Sequence, residues 1–187
     1  MTNRVLENFN KLAIDNQLEY LIIGGYAASY WGTPRFTADI DFAIERTQFP
    51  KVESIMASLS YVLDFKHPKG SFVHFSPSTG SDFRIDFVIV DSSTWKELYD
   101  KKSYADFGLE IKCPVVSPIH LIAMKLHSAK QPDRNEYLKD LADIIEVMLA
   151  QNITFQTLES DGILTKYGSE STNNELRRLL RARKAIP

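Results

Sequence analysis

The chain has 187 residues, 44% hydrophobic and 25% charged, with a net charge of −2. These totals describe an ordinary globular domain with enough length for a core of its own, and exclude a fibrous, low-complexity or strongly basic protein. A single cysteine, Cys113, rules out an internal disulfide, and the absence of a long apolar run or a signal-peptide pattern predicts a cytoplasmic protein with no membrane partner.

The chain opens on a predicted helix in which Val5, Leu6, Phe9, Leu12 and Ala13 recur at spacings of three and four; Thr2 or Asn3 would cap it. Residues 20–23 are a short continuous apolar run, the pattern of a central strand. Gly24-Gly25 ends it, residues 26–31 fit a short helix, and Gly32-Thr33-Pro34 breaks that helix. Residues 39–44 form the next strand, with Ile40, Phe42 and Ile44 on one face and Asp39, Asp41 and Ala43 on the other.

Pro50 suits the first turn of a helix that turns Val52, Ile55, Met56 and Leu59 inward. Three strands are predicted next, at 61–65, 71–75 and 83–90, joined at Lys69-Gly70 and Ser78-Thr79-Gly80. A helix over 93–101 and a further strand or extended segment over 109–116 complete an α/β part. From Ser117 the pattern turns helical. Pro118 opens a helix with Ile119, Ile122, Ala123 and Leu126 in a stripe. A second helix begins near Asp133, with Leu138, Leu141, Ile144, Ile145 and Met148 inward. A weaker segment spans 155–164, and a last helix runs over 174–184. The organisation predicted is therefore an α/β core at 1–116 and a helical part at 117–187.

Asp39 and Asp41 stand two apart on a strand, so both carboxylates leave one face. A divalent cation would relieve their repulsion, and oxygen ligands suit Mg²⁺ or Mn²⁺. Asp-x-Asp is also the pattern of a solvated strand end. "FRIDFVIV" adds Asp86, a carboxylate among apolar neighbours in a strand that reads as central. Burial demands a cation, strong hydrogen bonds or a salt bridge, with Arg84 or Arg35 as candidates. If the two strands are neighbours, the three carboxylates converge as a two-metal phosphoryl-transfer site requires. Gly24-Gly25, after a buried strand and before a helix, is either a simple turn or a place where backbone amides approach a phosphate. It is neither the dinucleotide fingerprint nor a P-loop.

The order Gly-Gly, short helix, Gly-x-x-Arg-x-Thr-x-Asp-Ile-Asp and a later strand aspartate resembles the DNA polymerase β-like nucleotidyltransferase superfamily. "GGYAASYWGTPRFTADIDF" is most similar to the bacterial group related to AbiEii toxins. "HLIAMKLHSAKQPDRNEYLKDLADI" resembles that group's second signature, a helix with a lysine followed by Arg…Lys-Asp-x-x-Asp. The resemblance spans about residues 18–146 and implies a mixed sheet flanked by helices, an α/β (α+β) fold, with the helical C-terminal part closing over the nucleotide.

It implies further that Gly24 and Gly25 contact a triphosphate, that Asp39 and Asp41 bind both metals, and that Asp86 binds one and acts as base for an acceptor hydroxyl. Lys125 matches a triphosphate-facing lysine and is carried as a catalytic candidate. Lys139, Asp140 and Asp143 match Lys-Asp-x-x-Asp, with Arg134 a candidate for the signature's arginine. Arg35 and Thr37 either contact phosphate and orient Asp39 or belong to a surface loop; Lys139 is a nucleotide-binding candidate. Lys125 is equally readable as a snorkelling lysine, and Asp140 and Asp143 as a structural bridge.

His67, His74, His120 and His127 lack metal-ligand spacing, although His120 and His127 could share a helix face. Tyr26, Tyr30 and Trp31 could stack a base or pack on the first helix. Arg177, Arg178, Arg181, Arg183 and Lys184 form a basic run that either grips RNA or is a solvated helix face.

The function expected is Mg²⁺- or Mn²⁺-dependent transfer of a nucleoside monophosphate from an NTP to an acceptor hydroxyl of RNA (such as tRNA), protein or a small molecule. A toxin–antitoxin or phage-defence setting, with a cognate antitoxin or toxin partner, is implied by the resemblance alone. The rival reading is a non-catalytic nucleotide- or partner-binding module on the same fold, such as an antitoxin or regulatory subunit. A nuclease or phosphatase is a third, which gives no reason for Gly-Gly before the carboxylates.

Overall fold

The computed structural model describes residues 4–79, 83–131 and 135–184. Its contacts divide the chain into two compact units, Met1–Ala27 with Arg35–Ser117, and Ala28–Pro34 with Pro118–Pro187. The division at Ser117 falls where the sequence pattern changes. The stretch Ala28–Pro34 belongs with the helical unit rather than with the residues on either side of it.

The first unit is built on a mixed seven-stranded sheet. In chain order it contains α1 (Arg4–Asp15), β1 (Leu21–Ile22), the start of α2 (Gly24–Trp31), β2 (Asp39–Glu45) and α3 (Phe49–Ser58). There follow β3 (Tyr61–Lys66), β4 (Phe72–Pro77), β5 (Arg84–Val90), α4 (Ser92–Asp100), β6 (Ser103–Ala105) and β7 (Cys113–Val115). The strand order is β3-β4-β5-β2-β1-β7-β6. The central pair β2 and β5 is parallel, while β1 runs antiparallel to β2 and β4 antiparallel to β5.

The alternation of β2 and β5 determines which face is core. Ile40, Phe42 and Ile44 of β2 and Ile85, Phe87 and Ile89 of β5 are buried. On this face Phe9 of α1 stacks on Phe42 with ring centroids 4.3 Å apart, and Phe87 lies 5.3 Å from Phe42. Tyr20 meets the edges of Phe9 and Phe42. Each of these large side chains contributes about 1.5–3 kcal/mol by leaving water, so this cluster fixes α1 against the centre of the sheet. Asn10 is also buried on α1, accepting a 2.6 Å hydrogen bond from the Tyr20 hydroxyl. The opposite face of the same strands is left for Asp39, Asp41 and Asp86.

Two local details follow from sequence chemistry. Pro50 stands at the start of α3, where its missing N–H costs nothing. Asp91 caps α4 by accepting from the amides of Ser93 and Thr94, and the Ser93 hydroxyl, followed by the Thr94 amide and hydroxyl, holds its carboxyl well below the usual range. Strand β6 is absent from the sequence reading; it is three residues long and is defined by its pairing with β7.

The second unit contains the rest of α2, then α5 (Pro118–Ala129), α6 (Tyr137–Ala150), α7 (Phe155–Ser160), α8 (Ile163–Tyr167) and α9 (Glu170–Lys184). Leu121, Ile122, Leu126, Leu141, Ile144 and Met148 supply its core. Leu138, expected inward, is 67% exposed. The inward position in that first turn of α6 is taken by Asp140, which is buried against a lysine. Gly32 lies so close to α6 that a Cβ on it would stand 3.1 Å from the backbone of Glu146 and Val147. The Trp31 carbonyl accepts from the Gln151 side chain at 2.8 Å. The expected caps Thr2 and Asn3, and the residues Gly80, Asp133 and Arg134, lie outside the described residues. Among the described residues, no helix is long and apolar enough to cross a membrane.

Candidate active site

The register of β2 against β5 places Asp41 beside Asp86 and Asp39 beside Arg84. Parallel neighbours at the same height share a face, so the three carboxylates meet. One oxygen from each of Asp39, Asp41 and Asp86 lies within 4.8 Å of the others. Asp86 is 4% exposed, a depth at which an ionised carboxylate needs donors or a cation.

Each carboxylate is held by a specific donor. Thr37 donates its hydroxyl to Asp39 Oδ1 at 2.9 Å. The Gly25 amide donates to Asp41 Oδ2 at 3.3 Å. Arg84 Nη2 stands between two of the three, 3.3 Å from Asp39 Oδ2 and 3.1 Å from Asp86 Oδ2. The fourth donor comes from β4, where His74 pairs directly across from Asp86 and its Nδ1 lies 2.6 Å from Asp86 Oδ1.

The glycines are explained by this packing. Gly24 has φ +58°, and a Cβ on it would lie 1.9 Å from Asp41 Oδ2. A Cβ on Gly25 would lie 2.5 Å from the Thr37 hydroxyl. The chain therefore runs without side chains where the carboxylate and its neighbouring threonine stand, and α2 starts with the Gly25 amide directed at Asp41. Arg35 reaches toward Gly25, and its guanidinium donates to the Phe36 carbonyl at 3.1 Å.

These donors fit a divalent cation. Three hard carboxylates from two adjacent strands offer oxygens within one coordination sphere's reach, the donor set that suits Mg²⁺ or Mn²⁺. The Arg84 guanidinium already places positive charge between two of them.

The remaining candidates lie in the second unit. Lys125 is buried on α5, with Nζ 3.0 Å from Asp140 Oδ1 and 2.8 Å from Asp143 Oδ2. This is an internal ion triad, the bridge that the spacing of Asp140 and Asp143 suggested. Lys139 is half exposed and pairs with Glu136 at 2.6 Å. On α5, His120 is buried and His127, two turns further on, is exposed. Of the basic run on α9, Arg177 pairs with Glu159 and lies over Phe155, Arg178 pairs with Glu175, and Arg183 pairs with Glu146. Those pairings favour the solvated-face reading of α9.

His74 is the contact that sequence reasoning missed. Its sequence context carries no metal-ligand spacing, and only the β4–β5 register puts it opposite Asp86.

Solved structures share this architecture. The antibiotic-resistance factor ANT(2'')-Ia superposes with a TM-score of 0.62 at 15% identity, covering 97% of this chain and 92% of that one. The lincosamide antibiotic adenylyltransferase LnuA, solved with lincomycin bound, gives 0.57 at 14% identity, covering 82% of this chain and 99% of that one. The Megavirus polyadenylate synthase gives 0.56 at 13% identity, over 81% of this chain and 32% of that one. At such identities the likeness speaks for the fold, a nucleotidyltransferase fold. No curated protein matches the chain in sequence. The family model described as "Nucleotidyl transferase AbiEii toxin, Type IV TA system" matches residues 4–185. The chain belongs to the AbiEii nucleotidyl transferase toxin family.

Proposed function

We propose that this protein is a metal-dependent nucleotidyltransferase that moves a nucleoside monophosphate from an NTP to an acceptor hydroxyl and releases pyrophosphate. The observation that carries the reading is the meeting of Asp39, Asp41 and Asp86 on one sheet face, in a chain of a nucleotidyl transferase family. A binding module has no need to keep three mutually repelling carboxylates together.

Asp39, Asp41 and Asp86 would hold Mg²⁺ or Mn²⁺. When bound, such cations supply Lewis-acid polarisation of the phosphoryl oxygens and favour the deprotonated acceptor hydroxyl. The chain's own residues orient and neutralise. Thr37 fixes the Asp39 carboxylate, and the Gly25 amide fixes that of Asp41. Arg84 offsets charge on Asp39 and Asp86, and Asp86 is the base that accepts the acceptor proton. Gly24, Gly25 and Arg35 are the candidates for holding triphosphate oxygens, since they present amides and a guanidinium beside Asp41 and Thr37. In the second unit, Lys125 is the catalytic candidate and Lys139 the nucleotide-binding one.

The family supports a toxin–antitoxin setting with a cognate partner protein. The acceptor remains one of three chemical classes, an RNA end such as that of tRNA, a protein hydroxyl or a small molecule. ANT(2'')-Ia, solved with adenylyl-2''-tobramycin, and LnuA, solved with lincomycin, represent the last class among the structural neighbours.

The test is incubation with each labelled NTP, Mg²⁺ and a cell extract, beside an Asp39→Ala/Asp41→Ala control. Label transferred by the native protein and not by the control supports the reading and reveals the acceptor. Tight NTP binding with no transfer from any NTP overturns it in favour of a nucleotide-binding module.

A further inference from the structure

Asp86 is held from two sides by groups of different character. On Oδ2 stands Arg84, a long side chain 46% exposed, which also reaches Asp39. Its guanidinium nitrogen stands between two of the carboxylates that would hold a cation, and an exposed arginine can swing away at little cost. On Oδ1 stands His74, whose ring belongs to the neighbouring strand, is 22% exposed and contacts two aromatic rings. Phe72 meets it edge-on with ring centroids 4.5 Å apart, and Phe65 lies 5.3 Å away.

The bond is short, 2.6 Å. A carboxylate that holds a cation has only lone pairs to offer, so in that role of Asp86 the ring nitrogen is the donor. His74 and Asp86 are also register partners, so the bond forms without either backbone moving.

We propose that His74 is a positioning residue for Asp86. By donating from Nδ1 to Oδ1 it fixes the carboxylate's rotamer and leaves Oδ2 as the single oxygen that meets metal and acceptor when Arg84 withdraws. This rests on the nucleotidyltransferase reading above. The asymmetry of the two donors is the argument. A ring with two torsions that rests against two aromatic neighbours loses little entropy in holding Oδ1, whereas the more exposed arginine on Oδ2 is the exchangeable partner. Without His74 the carboxylate is free to rotate or to present both oxygens, and the geometry of the acidic group loosens.

The test uses the full chain and three variants. His74→Asn places an amide N–H where Nδ1 stands. His74→Gln places one about where Nε2 stands. His74→Phe keeps the ring and removes the donor. The first readout is Mn²⁺ binding to the nucleotide-free protein, followed by electron paramagnetic resonance. The second is the division of any kinetic effect between kcat and the KM for NTP.

The proposal expects His74→Phe and His74→Gln to weaken Mn²⁺ binding and lower kcat by about 10- to 100-fold with KM nearly unchanged. His74→Asn should stay within a few-fold of the native protein on both. It is overturned if folded His74→Phe binds Mn²⁺ and turns over like the native protein, which would leave His74 a purely structural partner. If His74→Phe does not fold, the Asn and Gln variants decide, and equal behaviour of the two overturns the proposal. The broader reading fails separately, if the native protein shows no Mn²⁺ binding that Asp39→Ala/Asp41→Ala abolishes.

Discussion

The α-carbon of Gly24 faces the carboxylate of Asp41 so closely that a Cβ built there would lie 1.9 Å from Oδ2. With φ at +58°, the position also demands a backbone conformation that side chains resist. The glycine break and the first acidic pair are therefore one construction. The chain gives up a side chain at residue 24 so that a carboxylate can fill that space at residue 41.

Gly24→Ala tests this directly. The left-handed backbone alone costs about 1–2 kcal/mol, and the clash must in addition push Asp41 aside. We expect a folded but less stable protein, measured by urea denaturation. Mn²⁺ binding should be lost, and nucleotidyl transfer should fall about 100-fold or more, as misplacement by about 1 Å does elsewhere. Native-like Mn²⁺ binding in the variant would show that Asp41 is not part of the metal site.

How much of this was legible in the sequence depends on the range of the interaction. The alternation of β2 and β5 was readable residue by residue, and it placed Asp39, Asp41 and Asp86 on one face once the strands were assumed adjacent. Arg84 was legible as a partner for Asp86 because it lies two residues away on the same strand face. His74 was not, because its meeting with Asp86 depends on the register of a hairpin whose turn has no fixed length signature. Leu138 misled because helical periodicity counts apolar residues, whereas the first turn of α6 buries Asp140 against Lys125. Short β6 carries no periodicity, and only its pairing makes it a strand.

Lys125, Asp140 and Asp143 form a buried triad in which one ammonium faces two carboxylates. Removing the cation leaves two like charges without it, and breaking such a buried pair costs about 3–5 kcal/mol. Lys125→Ala should therefore lower the urea midpoint strongly. Lys125→Met combined with Asp140→Leu and Asp143→Leu replaces the triad by apolar groups and should recover much of that loss. If Lys125→Ala unfolds no more easily than the native chain while NTP binding drops, the lysine is a ligand for phosphate and not a structural cation.

Cys113 is fully buried on β7, and burial pushes its thiol up from the ordinary 9.0. The folded state thus keeps its proton to higher pH than the unfolded chain. Stability from this group is fully present below the unfolded value and is lost as pH rises through the folded one. Tyr20 is shifted the same way by burial. Stability should therefore decline above about pH 9. The native thiol should resist a disulfide-exchange reagent at pH 8 and react with one equivalent once urea unfolds the chain. Rapid labelling of the folded protein would contradict a closed environment around β7.

Thr33 donates its hydroxyl to Glu146 Oε2 at 2.5 Å, and Arg183 Nε donates to the other oxygen at 3.2 Å. The threonine's bond is the larger cause holding the Glu146 carboxyl below its ordinary 4.5, with Arg183 adding to it and partial burial opposing. A depressed folded value means that the stabilisation is present above the unfolded value and is lost as pH falls through the folded one. The carboxylate is partly exposed, so the contribution is small, about 1 kcal/mol or less. Thr33→Val keeps the shape of the side chain and removes the donor. The variant should match the native protein at about pH 3 and fall below it as pH rises past 5, with denaturation midpoints as the measure. Parallel curves across that window would show that residues 28–34 are held to α6 by the close packing of Gly32 on the backbone of Glu146 and Val147 instead.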